Sequence, residues 1–243
     1  MALRSQKTIG ACVALVICGL CAAAAPATIA VRHTHLRKGG VGELRIGESS
    51  ISFHEIGKKQ MHSREWPYVE IQQLTVAQDY IRIVTYEDVR WKLGSDREYA
   101  FDQLPEGTAQ RVLDAVRGRI DERRLVVAIP HLPANATWQV KAKLLEGRSG
   151  TNGTVLASDG AIVYKSEKPD ASRTWQFRQI ENVSRSGPFD LTITTFERDG
   201  SRFEGRRDYR FQLKEELTEE RYNALWRQLN ESHLTQLKQG ETQ

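Results

Sequence analysis

Hydrophobic and polar positions alternate along much of the chain with the two-residue period of half-buried strands. Tyr80–Tyr86 is the clearest case, with Ile81, Ile83 and Thr85 on one face and Arg82, Val84 and Tyr86 on the other. Shorter runs of the same kind cover Val31–His35, Gly42–Ile46 and Ile51–Ile56, the last two joined by a polar turn at Gly47–Ser50. Trp66, Tyr68 and Ile71 begin a further strand that continues to Val76. Val89–Leu93 and Glu98–Phe101 predict a hairpin across Gly94–Asp96. After Pro105–Gly107 the period changes. Val112, Leu113, Val116 and Ile120 make one stripe of a helix that Thr108 can cap and that runs through Arg119.

The same plan then recurs. Ser63–Ile71 and Ser172–Ile180 share Ser-Arg-x-Trp, an aromatic residue two positions after the Trp and an Ile three after that. Gly42 matches Gly153, Ile51 matches Ile162, Thr85-Tyr86-Glu87 matches Thr195-Phe196-Glu197, and Tyr99-x-Phe101 matches Tyr209-x-Phe211, with offsets of 109 to 111 throughout. A second helix, signalled by Thr218 and Glu219, carries Tyr222, Leu225, Trp226 and Leu229. A constant offset across so many anchors marks a duplication. The period is too long for a solenoid, so two closed domains are expected, at 31–120 and 139–230. Segment 121–138 connects them and includes an apolar strand at Leu125–Ile129, and 231–243 reads as a disordered tail.

Composition adds an N-terminal leader. Met1–Lys7 is basic, Thr8–Ala25 is uncharged and apolar, and Ala25-Pro26-Ala27 offers small residues to a signal peptidase. The reading is a signal peptide over 1–27, with an uncleaved anchor reaching Val31 as the alternative. Either places the protein outside the cytoplasm, periplasmic or extracellular. Cys12, Cys18 and Cys21 all fall in the leader, which leaves the rest of the chain without thiol chemistry or disulfides. The formal charge is +4, of which Arg4 and Lys7 supply two, so a nucleic-acid partner is not expected.

Strands followed by a C-terminal helix in each unit, with the Trp-x-(Tyr/Phe)-x-x-Ile strand at Trp66–Ile71 and Trp175–Ile180, resemble the PH-like and GRAM-like domains. The doubled layout is similar to that of exported proteins of soil bacteria, which bring no settled activity. The resemblance implies a mainly β fold of two PH-like, partly open β-barrels in tandem, each with its own C-terminal helix.

The candidate chemistry is sparse. Arg64 and Arg173, beside Trp66 and Trp175, can form a cation–π or anion-binding patch. Their retention in both copies favours a structural role instead, each Trp in the core and each Arg paired with Glu87 or Glu197. Basic loops offer Lys58 and Lys59 in one copy and Lys165 and Lys168 in the other. PH-like domains bind headgroups with such loops, yet Glu55 and Glu167 dilute the charge and solvated loop lysines explain them better. His33 and His35 share a strand face that can hold Zn²⁺, without a third ligand nearby. No catalytic motif appears, and no cofactor is expected. The expected function is a non-enzymatic binding or scaffolding module that contacts a protein or an envelope surface, with exposed sheet edges able to take a partner strand. The alternative is a carrier of a small apolar or lipid ligand in a β-barrel.

Overall fold

The structure is a computed structural model that describes residues 27–34, 39–57, 63–90, 92, 95–147, 149–168, 171–199 and 205–240. The first half contains β1 (Ala27–Thr34), β2 (Gly40–Ile46), β3 (Ser50–Glu55), β4 (Arg64–Pro67), β5 (Ile71–Ala77), β6 (Tyr80–Asp88), β7 (Asp96–Asp102) and helix α1 (Thr108–Val116). Strand β8 (Leu125–Ala128) follows. The second half contains β9 (Trp138–Glu146), β10 (Ser149–Ala157), β11 (Ala161–Ser166), β12 (Arg173–Gln176), β13 (Ile180–Ser184), β14 (Asp190–Arg198), β15 (Arg206–Leu213) and helix α2 (Glu219–Gly240).

The expected pair of tandem PH-like barrels does not form. The fifteen strands hydrogen-bond into one open, mixed sheet in the order β13-β14-β15-β9-β10-β11-β12-β8-β5-β6-β7-β1-β2-β3-β4. The reason is β8. Its four residues, Leu-Val-Val-Ala, are all buried, so neither face nor edge can be left to water. It runs parallel to β5, from Leu74 opposite Leu125 to Ala77 opposite Ala128, and meets β12 at Thr174 opposite Val127. What the sequence marks as a connector is therefore the middle strand of the sheet.

On either side of β8 the strand order is the same, β5-β6-β7-β1-β2-β3-β4 against β13-β14-β15-β9-β10-β11-β12. Each side packs its own core, one running from Ile29 to Ile129 and the other from Trp138 to Leu229. The sheet curls strongly over each. Trp66 on β4 meets Tyr99 on β7 at 4.8 Å between ring centroids, although three strands separate them in the sheet. Trp175 meets Tyr209 in the same way at 4.7 Å. No ladder among the described residues joins β4 back to β5, so the curl stays open. Gly42 and Gly153 permit the packing, since a Cβ there would stand 2.5 Å from the Phe53 ring and 2.7 Å from the Tyr164 ring.

Several local expectations change. The strand from Trp66 to Val76 breaks after Pro67, where a 3-10 turn at Tyr68–Glu70 separates β4 from β5; the same break follows Gln176, with a 3-10 turn at Phe177–Gln179, so it belongs to the repeat and not to the proline. The hairpin joins β6 and β7, with Asp88 opposite Asp96 and the Val89 N–H donating to the Ser95 carbonyl at 2.8 Å; Trp91, Leu93 and Gly94 of the expected hairpin lie outside the described residues. Gly107, at φ 72°, takes the cap position of α1 in place of Thr108, and the helix ends at Val116, before Gly118 turns the chain at φ 74°. Helix α2 extends through Gly240 and so occupies most of the expected disordered tail.

The localisation reading is also corrected, as to a membrane anchor that reaches Val31. No helix among the described residues is long and apolar enough to cross a membrane. Val31, the expected end of an anchor, is a buried residue of β1 paired with Gly42. The leader over 1–26 lies outside the described residues.

Candidate functional site

The twin Ser-Arg-x-Trp motifs form β4 and β12, and they serve the cores. Trp66 and Trp175 are 1% and 2% exposed. Around Trp66, Arg64 Nη2 donates to Glu87 Oε2 at 2.7 Å, Arg97 pairs with the same carboxylate, and Tyr99 donates to it at 3.4 Å. This group is open to water, with Arg64 and Glu87 side chains about two-fifths exposed. Around Trp175 the same residue types are buried. Trp175 Nε1 donates to Glu197 Oε1 at 3.3 Å, and Tyr209 donates to Glu197 Oε2 at 2.5 Å. Glu197 is only 6% exposed. Burial and the Glu197 charge push the Tyr209 hydroxyl far above its ordinary pKa. Burial alone would lower the Arg173 pKa; the Tyr209 hydroxyl and the Glu197 charge outweigh it and leave the guanidinium firmly protonated.

The basic residues singled out from sequence do not converge. Lys58 and Lys59 lie outside the described residues. Arg173 stands opposite Tyr164, so it projects to the core face of the sheet, whereas Lys165, next to Tyr164 on β11, projects to the outer face. Lys165 lines an open pocket of about 490 Å³ with Lys141, Lys214 and Thr154. Lys168 is exposed on the loop after β11, its backbone N–H bonded to Ser166. His33 is buried between Phe53 and Phe101, at 5.6 and 5.4 Å, and His35 lies outside the described residues. No group of three metal-ligating side chains occurs among the described residues.

The sheet edges are largely closed to an added strand. The β13 edge is covered by α2, where Tyr222 donates to the Val183 carbonyl at 3.1 Å and His233 Nε2 lies 2.9 Å from the Ile180 carbonyl. Strand β4, at the other end, is four residues long and carries Arg64, Glu65 and Pro67, the composition of a protected edge.

A larger concavity than the Lys165 pocket lies elsewhere, at the seam between the halves. It has a volume of about 720 Å³. The chain reaches it through Asp121, whose carboxylate accepts the Arg123 N–H at 2.9 Å and starts a 3-10 turn over Glu122–Arg124. That turn sends two adjacent guanidinium groups in different directions. Arg123 lies over Phe196 of the second half at 5.0 Å, and Arg124 over Tyr86 of the first half at 5.7 Å. Phe196 also stacks with Arg206, at 5.0 Å. The aromatic residues are repeat counterparts, each preceding the glutamate of its motif.

Polar contacts across the seam hold this geometry. Gln179 Nε2 donates to the Leu125 carbonyl at 2.8 Å, Thr174 donates to the Ile129 carbonyl at 2.7 Å, and Arg178 pairs with Glu122 at 3.2 Å. Arg198 pairs with Asp96 and donates to Gln72 at 2.9 Å. Within the second half, Arg206 pairs with Glu181 at 3.3 Å. Arg123 and Arg124 make no ion pair among the described residues; Arg124 donates to the Ile71 carbonyl at 3.3 Å. Sequence reasoning passed over both arginines. The available signal was their position, immediately before the apolar strand between the two copies.

No family model matches the chain, and no curated protein matches it. Among solved structures, the C-terminal domain of an unknown protein from Leishmania infantum is 12% identical, with 39% of this chain and 84% of that one covered and a TM-score of 0.30. The Spt16D Pob3N heterodimer is 11% identical, with 71% of this chain and 84% of that one covered and a TM-score of 0.32. Likenesses this weak carry no conclusion about the chain.

Proposed function

We propose that the protein is a non-catalytic binding or scaffolding module that holds a protein partner at the seam between its halves. The observation that supports this is the pair Arg123 and Arg124, each stacked on an aromatic ring and without an ion pair among the described residues, in the cleft at the seam. Arginine and aromatic side chains are the types that supply most binding energy in protein interfaces, because they bring contact area, stacking and directed hydrogen bonds together. Stacking also orders the guanidinium groups before binding, which lowers the entropy lost on association. Carriage of an apolar ligand fits this cleft less well, since Asp88, Asp96 and Asp121 line it together with the arginines.

The test compares proteins retained by the parent chain and by an Arg123→Ala/Phe196→Ala variant after chemical cross-linking. The reading expects at least one protein cross-linked by the parent through seam residues and lost from a variant that melts normally. An unchanged set of cross-linked proteins would remove the seam from consideration.

A further inference from the structure

We infer that the seam cleft recognises carboxylate side chains of an acidic polypeptide segment, through Arg123 and Arg124 together. This rests on the binding reading above and adds the chemistry of the ligand. The cleft contains four arginines, and two of them are already neutralised, Arg198 by Asp96 and Arg206 by Glu181. Asp88 and Asp121 are the remaining carboxylates of the cleft, and the guanidinium groups left without an ion pair among the described residues are those of Arg123 and Arg124. Their planar forks suit carboxylates, which accept two parallel N–H bonds, and their aromatic supports hold the planes in place.

Two features favour a carboxylate-bearing polypeptide over a phosphate. Asp88 and Asp121 line the same cleft, and a dianionic group beside them meets more repulsion than a singly charged carboxylate does. The two free guanidinium groups also lie on different halves of the molecule, one over Phe196 and one over Tyr86. Engaging both takes acidic groups spread along a chain rather than one compact anion.

Fluorescence anisotropy of the full chain with a fluorescein-labelled alternating Glu-Ala peptide tests this. The parent is expected to bind the peptide and to bind it more weakly as salt is raised. Arg123→Gln/Arg124→Gln is expected to weaken binding about tenfold or more. Gln keeps a polar amide while removing the charge and the guanidinium fork, and melting curves confirm that the variant is folded. A Lys141→Gln/Lys165→Gln/Lys214→Gln variant, altered in the outer pocket, is expected to bind like the parent. The inference is overturned if the parent does not bind the peptide, if the double arginine variant binds it equally well, or if the lysine variant alone loses it. It is also overturned if inorganic phosphate displaces the peptide better than acetate does at matched ionic strength. Failure with the peptide, combined with partner loss in Arg123→Ala/Phe196→Ala, would retire the carboxylate assignment and leave the seam as a binding surface of another chemistry.

Discussion

Glu87 and Glu197 occupy matching positions in the two halves, with Arg, Trp and Tyr around each, and live in opposite environments. Glu87 sits at the surface and shares its charge with Arg64 and Arg97. Glu197 is buried, accepts from Trp175 and Tyr209, and lies close enough to Arg173 to stabilise its charge. The neighbouring strands account for the difference. On the second side, β12 is flanked by β8 and the seam; on the first, β4 is the last strand of the sheet. One motif thus gives a solvated ion-pair cluster at an edge and a desolvated network in the interior. Residue identity sets which groups meet, and position in the sheet sets what the meeting is worth.

Substitution of the tryptophans is the most severe way to test this pairing. Trp66→Ala and Trp175→Ala each remove a fully buried indole and are expected to cost about 3–5 kcal/mol by denaturant melts. Trp175→Ala should be the worse of the two, because it also takes a donor from buried Glu197, whereas the buried Trp66 Nε1 has no hydrogen-bond partner among the described residues. If both variants melt like the parent, the assignment of these residues to the cores fails.

The glutamates themselves should separate the halves more cleanly. Glu197→Ala removes the buried acceptor shared by Trp175 and Tyr209 and a charge that stabilises Arg173, and is expected to cost about 3 kcal/mol. Glu87→Ala breaks only solvated pairs and is expected to cost less than about 1 kcal/mol. Equal losses in the two variants would show that burial does not distinguish the sites.

The smallest effect concerns alkaline pH. Tyr209 has a folded-state pKa raised above its ordinary value of 10.0, so the folded state holds this proton more tightly than the unfolded chain does. Its contribution is complete below pH 10.0 and is lost as pH rises from there toward the folded-state value. Urea melts should therefore show stability falling above pH 10.0, with a shallower fall in Tyr209→Phe. Tyr99, also raised but half-exposed, should change the slope less when replaced by Phe. An unchanged slope in Tyr209→Phe would mean that its hydroxyl is not held in a buried, anionic setting.

Much of the local structure was legible in the residues. Alternation at Ile81, Ile83 and Thr85 reports a strand with one buried face, and these three are buried. Retention of Trp66 and Trp175 in both copies pointed to the cores, and retention of Glu87 pointed to Arg64, with which it pairs. The corner after β4 was not readable: its twin after β12 forms without a proline, and the aromatic spacing through Tyr68 and Ile71 reads as one continuous strand. The extent of α2 was not readable. The charged residues after Leu229 gave no apolar stripe, and the helix is held by tertiary bonds from Tyr222 and His233 to the β13 edge.

The candidate site was less legible than the fold. Lys165 and Arg173 are close in sequence and fall on opposite faces, because sheet register decides the side from which each projects. Arg123, Arg124, Tyr86 and Phe196 are distant in sequence and meet only because β8 joins the two sides.

By itself, then, the sequence determined the two matching sets of strands, the aromatic residues that fill each core and the glycines that let those rings pack. These depend on periodicity, residue size and local backbone freedom, which neighbours along the chain already specify. Tertiary structure decided that the two sets share one open sheet, that one motif is solvated and its twin buried, and that two adjacent arginines without an ion pair among the described residues stack on aromatic rings of opposite halves. Those outcomes depend on which edge β8 covers, and an edge acquires a neighbour only once distant segments have come together.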